Sequence, residues 1–439
     1  MRGISPGNSA TGSTAGSAMS FGSVTALAVG GMMGAGLYTL LGLAASTSGG
    51  MLPLAFVIAG VVAALSVYSY AKLGSAYPSR GGAAVYLRDA FGEGLVAGGL
   101  NVFQYAAYII ATALYAAGFA EYVAALADNS GQELRRVVGV GVVVIFTAVN
   151  LISSKLVGRS ETAIIGIEMV VLVGFLAFAV THIEPDRISQ AAPGGTLGIF
   201  SAAALLYVTY QGFGVAATAG GNMVDAKHNL PRALYTALAI VAVVYVVIST
   251  AVVMLLDLTQ HTDTVGHLLA DAGQAAAGRI GFVAVSIAAL LATASAVNAT
   301  LFASANIGYD VAEKGEISRP LTRPVGRVGN MALLAAAICV IALVVFFPLS
   351  AVGQMTSLAF LLVYAAVSLG HLKLRAHTGA RRGLLIGAIV ANAVLFTLLL
   401  IEAVRTGPAS TWITLILVFA ASFGYEWLRR RRKSTNAKQ

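Results

Sequence analysis

Glu168 is the only charged residue between Ala163 and Val180, in a run that is otherwise apolar. A bare charge at membrane depth costs about 3 kcal/mol or more, so such a residue faces a protein interior and not lipid. There it can carry a proton, hold a cation or pair with polar neighbours. Two glycine clusters offer a second kind of chemistry. Gly30-Gly31-Met32-Met33-Gly34-Ala35-Gly36 and Tyr210-Gln211-Gly212-Phe213-Gly214 each fall near the middle of a long apolar run. Glycine costs a helix about 1 kcal/mol relative to Ala, so both stretches are places where a helix can open. Opened backbone exposes N–H groups that suit a carboxylate and C=O groups that suit an ammonium or a metal cation. A zwitterion such as an α-amino acid presents both charges.

These residues need a scaffold, and composition says which kind. The 439-residue chain is 58% hydrophobic and 10% charged, too few charges for the surface of a soluble protein of this size. It reads as an all-α polytopic membrane protein. Twelve apolar runs are long enough for transmembrane helices: 23–47, 52–75, 94–126, 136–153, 160–181, 198–222, 231–256, 279–306, 330–347, 351–374, 383–404 and 410–428. With the N-terminus inside, 22 of the 27 Lys and Arg residues lie on the inner side and 5 on the outer. That asymmetry places both termini in the cytoplasm. The net charge of +9 sits in loops and in the basic tail 429–439, so it sets topology and is no nucleic-acid signal. Residues 1–22, rich in Gly, Ser, Ala and Thr, read as a disordered tail with no cleavable signal. Segment 259–275, with Asp263, His267 and Asp271, reads as an amphipathic surface element. Cys339 is the only cysteine, so no internal disulfide forms.

The two glycine clusters stand in the first and the sixth span. Spans 1–5 (23–181) and 6–10 (198–374) therefore read as two halves that open at corresponding positions, the pattern of an inverted-repeat transporter. Glycines of this kind also pack helices closely, and either cluster alone suits that role. Their correspondence favours the broken-helix reading. Spans 11 and 12, residues 383–428, lie outside the repeat.

The motifs resemble those of the amino acid–polyamine–organocation (APC) superfamily, and most closely the ApcT-type proton-coupled amino-acid transporters of prokaryotes. They are Gly31-Met32-Met33-Gly34-Ala35-Gly36-Leu37-Tyr38, Tyr77-Pro78-Ser79-Arg80-Gly81-Gly82, Tyr210-Gln211-Gly212-Phe213-Gly214, Asn229-Leu230-Pro231-Arg232-Ala233, Asn298-Ala299-Thr300 and Tyr309 to Glu316. The similarity runs from about residue 23 to about residue 382. It implies a LeuT-type fold of five-plus-five inverted helices with helices 1 and 6 broken. It also implies a substrate site in which backbone from Gly31 through Met32, Met33, Gly34 and Ala35 to Gly36 takes the carboxylate, and backbone at Gly212, Phe213 and Gly214 takes the ammonium. The chain departs from the pattern at Gly221-Asn222, where many relatives have two acidic residues, and at Asp225-Ala226, where they have Asn-Pro. The larger departure is Glu168, which aligns where relatives carry a lysine thought to bear the coupled proton.

Three roles for Glu168 follow. It replaces the lysine as proton carrier, since burial disfavours the charged carboxylate. Alternatively it binds Na⁺ together with backbone carbonyls at Gly30 and Gly31 and the hydroxyl of Ser295. In the third role it pairs with hydroxyls or waters and couples nothing. Tyr207 and Tyr210 are candidates for an aromatic gate, and Gln104 and Tyr108 for a site wall. Glu121, Glu402 and Glu426, at span ends, read as solvated. The six His residues read as loop or helix-end residues with no metal pattern, and no cofactor motif or hydrolase constellation is present. A membrane-embedded enzyme would need a catalytic His/Asp/Cys set, and a channel would need polar residues repeated around a pore. The expectation is a secondary transporter of amino acids in the cytoplasmic membrane of a prokaryote, coupled to protons; the alternatives are an amino-acid or amine exchanger and Na⁺ coupling.

Overall fold

The computed structural model describes residues 19–33, 36–79, 81–129, 131–152, 156–258 and 266–436. The chain is predominantly helical. The first predicted span is two helices, α1 (Phe21–Met33) and α2 (Gly36–Ser48), and the second is α3 (Leu52–Ala76). A short helix absent from the predicted set, α4 (Ala83–Phe91), precedes α5 (Leu95–Leu126), α6 (Gln132–Ile152) and α7 (Leu156–Ala179). The sixth span is again divided. α8 (Gly195–Leu206) gives way to a 3₁₀ turn at Tyr207–Tyr210, then α9 (Phe213–Ala217) and a second 3₁₀ turn at Thr218–Asn222. There follow α10 (Ala226–Leu255), α11 (Leu268–Glu313), α12 (Met331–Phe346), α13 (Leu349–Thr378), α14 (Arg382–Thr406) and α15 (Ala409–Asn436).

All twelve predicted apolar runs fall on helices. Among the described residues nine helical stretches are long and apolar enough to cross a membrane, the first of them, Phe21–Ala76, covering two predicted spans. Two more apolar helices, Ala163–Ala179 and Met331–Phe346, are shorter. Large apolar side chains such as Val170, Val173, Ile338, Phe346 and Leu417 lie more than half exposed on the outer helices, a surface that suits acyl chains and not water. This is the anatomy of a multi-pass membrane protein.

Several expectations need correction. Helical order begins at Phe21, inside the predicted tail 1–22, and Met19 makes a parallel β-bridge with Met223 just after the sixth span. Of the predicted surface element 259–275, residues 259–265 lie outside the described residues. The rest belongs to the start of α11 and is buried through Leu268, Leu269, Ala272 and Gly273. Small side chains allow this, because α11 bends back at Ala277 and Gly278 (φ +61°) and lays Gly273 against the Gly281 carbonyl. Glu426 is not solvated. It is fully buried beside Gly98 and paired with Arg429 and Arg430, which satisfy its charge. Glu121 is largely covered and pairs with Arg135 at 2.9 Å. His371 is neither a loop nor a helix-end residue. It lies within α13, fully buried, its ring bonded to the Thr378 hydroxyl at 2.8 Å.

Candidate functional site

The two breaks meet backbone to backbone. A Cβ added to Gly212 would lie 2.1 Å from the carbonyl carbon of Gly31, and one added to Gly36 would lie 2.7 Å from the Cα of Thr209. Only glycine permits either approach. The close packing that the sequence offered as one role for these glycines is present here. Side-chain hydroxyls reach backbone carbonyls of both glycine-rich stretches. One donor is Tyr245 of α10, whose hydroxyl reaches the Met32 carbonyl at 2.6 Å and the Thr209 carbonyl at 3.1 Å. Another hydroxyl, that of Tyr364 on α13, donates to the Gln211 carbonyl at 3.0 Å.

A cavity of about 610 Å³ lies beside the breaks, a volume ordinary for a small-molecule site. Gly30 and Gly31 of the first break line it, as do Gln211 and Gly214 of the second. Glu168 of α7, Ser295 of α11, and Gln104, Tyr108 and Tyr115 of α5 line it too. Away from the breaks the cavity extends past Ala84 and Thr218 to Asp310.

Helix phase, which the sequence left open, decides the direction of Glu168. It is buried in register with Leu172, Phe175 and Ala179, while Ile167, Val170 and Val173 point outward. The intervals of four, three and four residues put the carboxylate on the inward face of α7.

The other candidate residues are placed as follows. Met32 and Met33 are buried and do not line the cavity, and Gly34 and Ala35 lie outside the described residues. Gly36 and Gly212 are taken up by the contact between the breaks. Phe213 packs its ring on Tyr70 and Tyr364, at 5.2 and 4.8 Å between centroids. Tyr207 and Tyr210, the gate candidates, do not line the cavity either. Tyr207 Oη is 2.7 Å from Ser66 Oγ, and Tyr210 Oη donates to the Phe56 carbonyl at 3.1 Å, so both are held by neighbouring helices. The aromatic residues that line the cavity are Tyr108, Tyr115 and Phe302 instead. Tyr115, Asp310 and Tyr245 were not singled out from the sequence. Tyr115 and Asp310 lay on helices already read as near the site, whereas Tyr245, one of two tyrosines in the seventh span, carried no signal.

Two interrupted spans beside a largely apolar cavity with a few polar side chains, inside a bundle with an apolar exterior, suit a membrane transporter. Comparison with known proteins is consistent with that class. The profile of the amino acid permease family matches residues 19–423. The chain is 31% identical to an uncharacterized protein of Methanocaldococcus jannaschii, over 85% of this chain and 86% of that one. It is also 31% identical to the inner membrane transport protein YbaT of Escherichia coli, over 80% of this chain and 82% of the relative. Similarity to the methylthioribose transporter of Bacillus subtilis is lower, 25% over 66% of each chain. The chain belongs to the amino acid permease family, within the amino acid–polyamine–organocation superfamily.

Proposed function

We propose that this protein is a secondary active transporter that imports amino acids across the cytoplasmic membrane by proton-coupled symport, with Glu168 as the proton carrier. The observation that carries the reading is the position of Glu168: a buried carboxylate on the wall of the cavity that both helix breaks also line. Protonation there switches a local charge between −1 and 0 within reach of the opened backbone. In this reading the chain spans the membrane twelve times with both termini cytoplasmic. Residues 23–181 and 198–374 are the two inverted five-helix repeats of a LeuT-type fold, 383–428 add two helices, and 429–439 form a basic cytoplasmic tail. Free backbone N–H groups of the first break take the substrate carboxylate, and carbonyls of the second take its ammonium. Alternating access then moves the bundle that carries the breaks against the remaining helices. The extension of the cavity to Asp310 supports a conformation open toward the cytoplasmic end.

A second reading has one observation in its favour. Gly30, Gly31 and Ser295 line the same cavity as Glu168, a set of hard oxygen donors for Na⁺. The test is uptake of a labelled amino-acid mixture into proteoliposomes with an imposed pH or Na⁺ gradient, for wild type and Glu168→Gln. Uptake driven by the pH gradient and lost in the variant, with exchange retained, supports the proton carrier. Uptake that requires Na⁺ supports the second reading. If both proteins respond alike to pH and neither needs Na⁺, Glu168 couples nothing.

A further inference from the structure

The last helix ends in a group of charges that holds two connecting segments. Glu426 of α15 is fully buried against α5, where a Cβ added to Gly98 would lie 2.7 Å from its carboxyl carbon. One oxygen of this carboxylate accepts from both Arg429 and Arg430, at 2.5 and 2.7 Å. Each guanidinium has a second acceptor. Arg429 donates to the carbonyl of Gly315, just past the end of α11. Arg430 donates at 2.8 Å to the carbonyl of Glu93, in the link between α4 and α5. Glu426 therefore aims two cations at two separate segments. Arg88 of α4 fastens the same region from within, at 2.9 Å from Asp310 and 3.8 Å from Glu316. The charges balance, Arg88, Arg429 and Arg430 against Asp310, Glu316 and Glu426.

The other end of α4 touches the interrupted sixth span. Gly82 (φ +49°) precedes its first turn, and a Cβ there would lie 2.9 Å from the methyl of Thr218. Thr218 opens the second 3₁₀ turn of that span. Ala83, Ala84, Thr218 and Asp310 all line the cavity at this end. Thus α4 borders the cavity with one end against the sixth span and the other fastened to α11 and α15.

Resting on the transport reading, we propose that Glu426 is a positioning residue for transport. Through Arg429 and Arg430 it keeps α4 seated on the sixth span, and so sets how readily the cavity opens at its Asp310 end. It touches no substrate. Both arginines depend on the one buried carboxylate for their aim, so removing its charge releases the Glu93 and Gly315 segments together.

The test reads a cysteine placed at the contact. Thr218→Cys is made with Cys339, the only cysteine of the chain, replaced by Ser, and its reaction with a maleimide is timed in detergent micelles. Adding Glu426→Gln is expected to raise the labelling rate about fivefold, the effect of one ordinary hydrogen bond lost. Tyr105→Phe is the control, since its hydroxyl donates to the Ala332 carbonyl at 2.9 Å between α5 and α12, and it should leave the rate unchanged. In proteoliposomes with a labelled amino-acid mixture, Glu426→Gln should lower Vmax per folded protein and hold KM within about twofold. An unchanged labelling rate, an equal rise in the control, or a raised KM with Vmax intact overturns the proposal. Should Glu426→Gln fail to fold, Arg430→Gln takes its place, dropping the tie to Glu93 and leaving Arg429 on the carboxylate. Labelling must then rise, and an unchanged rate overturns the proposal. The labelling needs no substrate. If wild type takes up no amino acid while labelling still rises, the transport reading falls and the clamp on the cavity stands.

Discussion

The Arg88 guanidinium donates to the Asp310 carboxylate at 2.9 Å, tying the short helix α4 to the end of α11 where the cavity extends. Its other arm lies 3.8 Å from Glu316, which also accepts from the Asn101 amide of α5. One cation thus balances two carboxylates on a surface that is mostly covered. Arg88→Met leaves both acids facing each other without it. Part of Asp310 is in contact with solvent, so the expected loss of stability is about 1–3 kcal/mol, below that of a fully buried pair. A lower melting temperature in detergent for Arg88→Met, with partial recovery in Arg88→Met/Asp310→Asn, would bear this out. Equal melting of wild type and the single variant would count against it.

The glycine contacts predict an order of severity. Ala at Gly212 places a carbon 2.1 Å from backbone that cannot move aside, whereas Ala at Gly31 meets the Gly212 Cα at 3.3 Å. Gly212→Ala is expected to abolish uptake, since overpacking of even moderate degree costs about 1–3 kcal/mol. Gly31→Ala should keep measurable uptake. Gly387→Ala meets nothing within 4 Å and should be neutral or slightly stabilising. Uptake per folded protein, scored by size-exclusion chromatography, gives the ranking, and a reversal of Gly31 and Gly212 contradicts the contact.

Ser295 separates the two coupling schemes. With Glu168 as a proton carrier, Ser295→Ala should leave uptake driven by a pH gradient within about twofold, because a hydroxyl that is not the carrier contributes at most one hydrogen bond of about 1 kcal/mol. With a Na⁺ site the same variant should weaken the dependence on Na⁺ concentration several-fold. Uptake titrated against each ion in turn reads the difference.

Glu316 carries a pH signature outside the membrane spans. Burial holds its carboxyl above the ordinary range, with the Asn101 amide and Arg88 pulling the other way. Between the ordinary value of about 4.3 and the raised native one, the folded protein binds more protons than the unfolded chain. This contribution to stability is therefore complete below the ordinary value and is lost as pH rises through the native one. Melting temperatures of wild type and Glu316→Gln measured against pH should diverge across that interval, the wild type falling more steeply. Parallel curves would show that the group does not titrate there.

The elements legible in the sequence were those with a strong local cause. Glycine runs in two apolar spans marked the junction of α1 with α2 and the 3₁₀ turns that follow α8, because glycine is a poor helix former wherever it stands. Glu168 stood out because charge is rare at that depth. Its direction did not, since one residue of phase turns a side chain by 100°. Long-range partners were invisible. Glu426 reads as a solvated end residue until α15 is laid against Gly98 of α5, and 259–275 reads as amphipathic until the bend at Gly278 folds 268–275 back onto the rest of α11. Tyr245 looked like any aromatic in a buried helix, because the two carbonyls it joins are 213 and 36 residues away.

The contact between Gly31 and Gly212 also bears on how this transporter can be re-engineered. Neither residue has a side chain to vary, and the nearby hydroxyl of Tyr245 grips peptide oxygens that every residue type shares. Mutation has little purchase on that half of the cavity, which on the proposed reading takes the head common to all α-amino acids. Adaptation to a new substrate tail has to come from the rest of the lining, where Gln104, Tyr108 and Tyr115 of α5 and Ser295 of α11 present exchangeable side chains. A library confined to those four positions would sample specificity and leave the backbone contact intact.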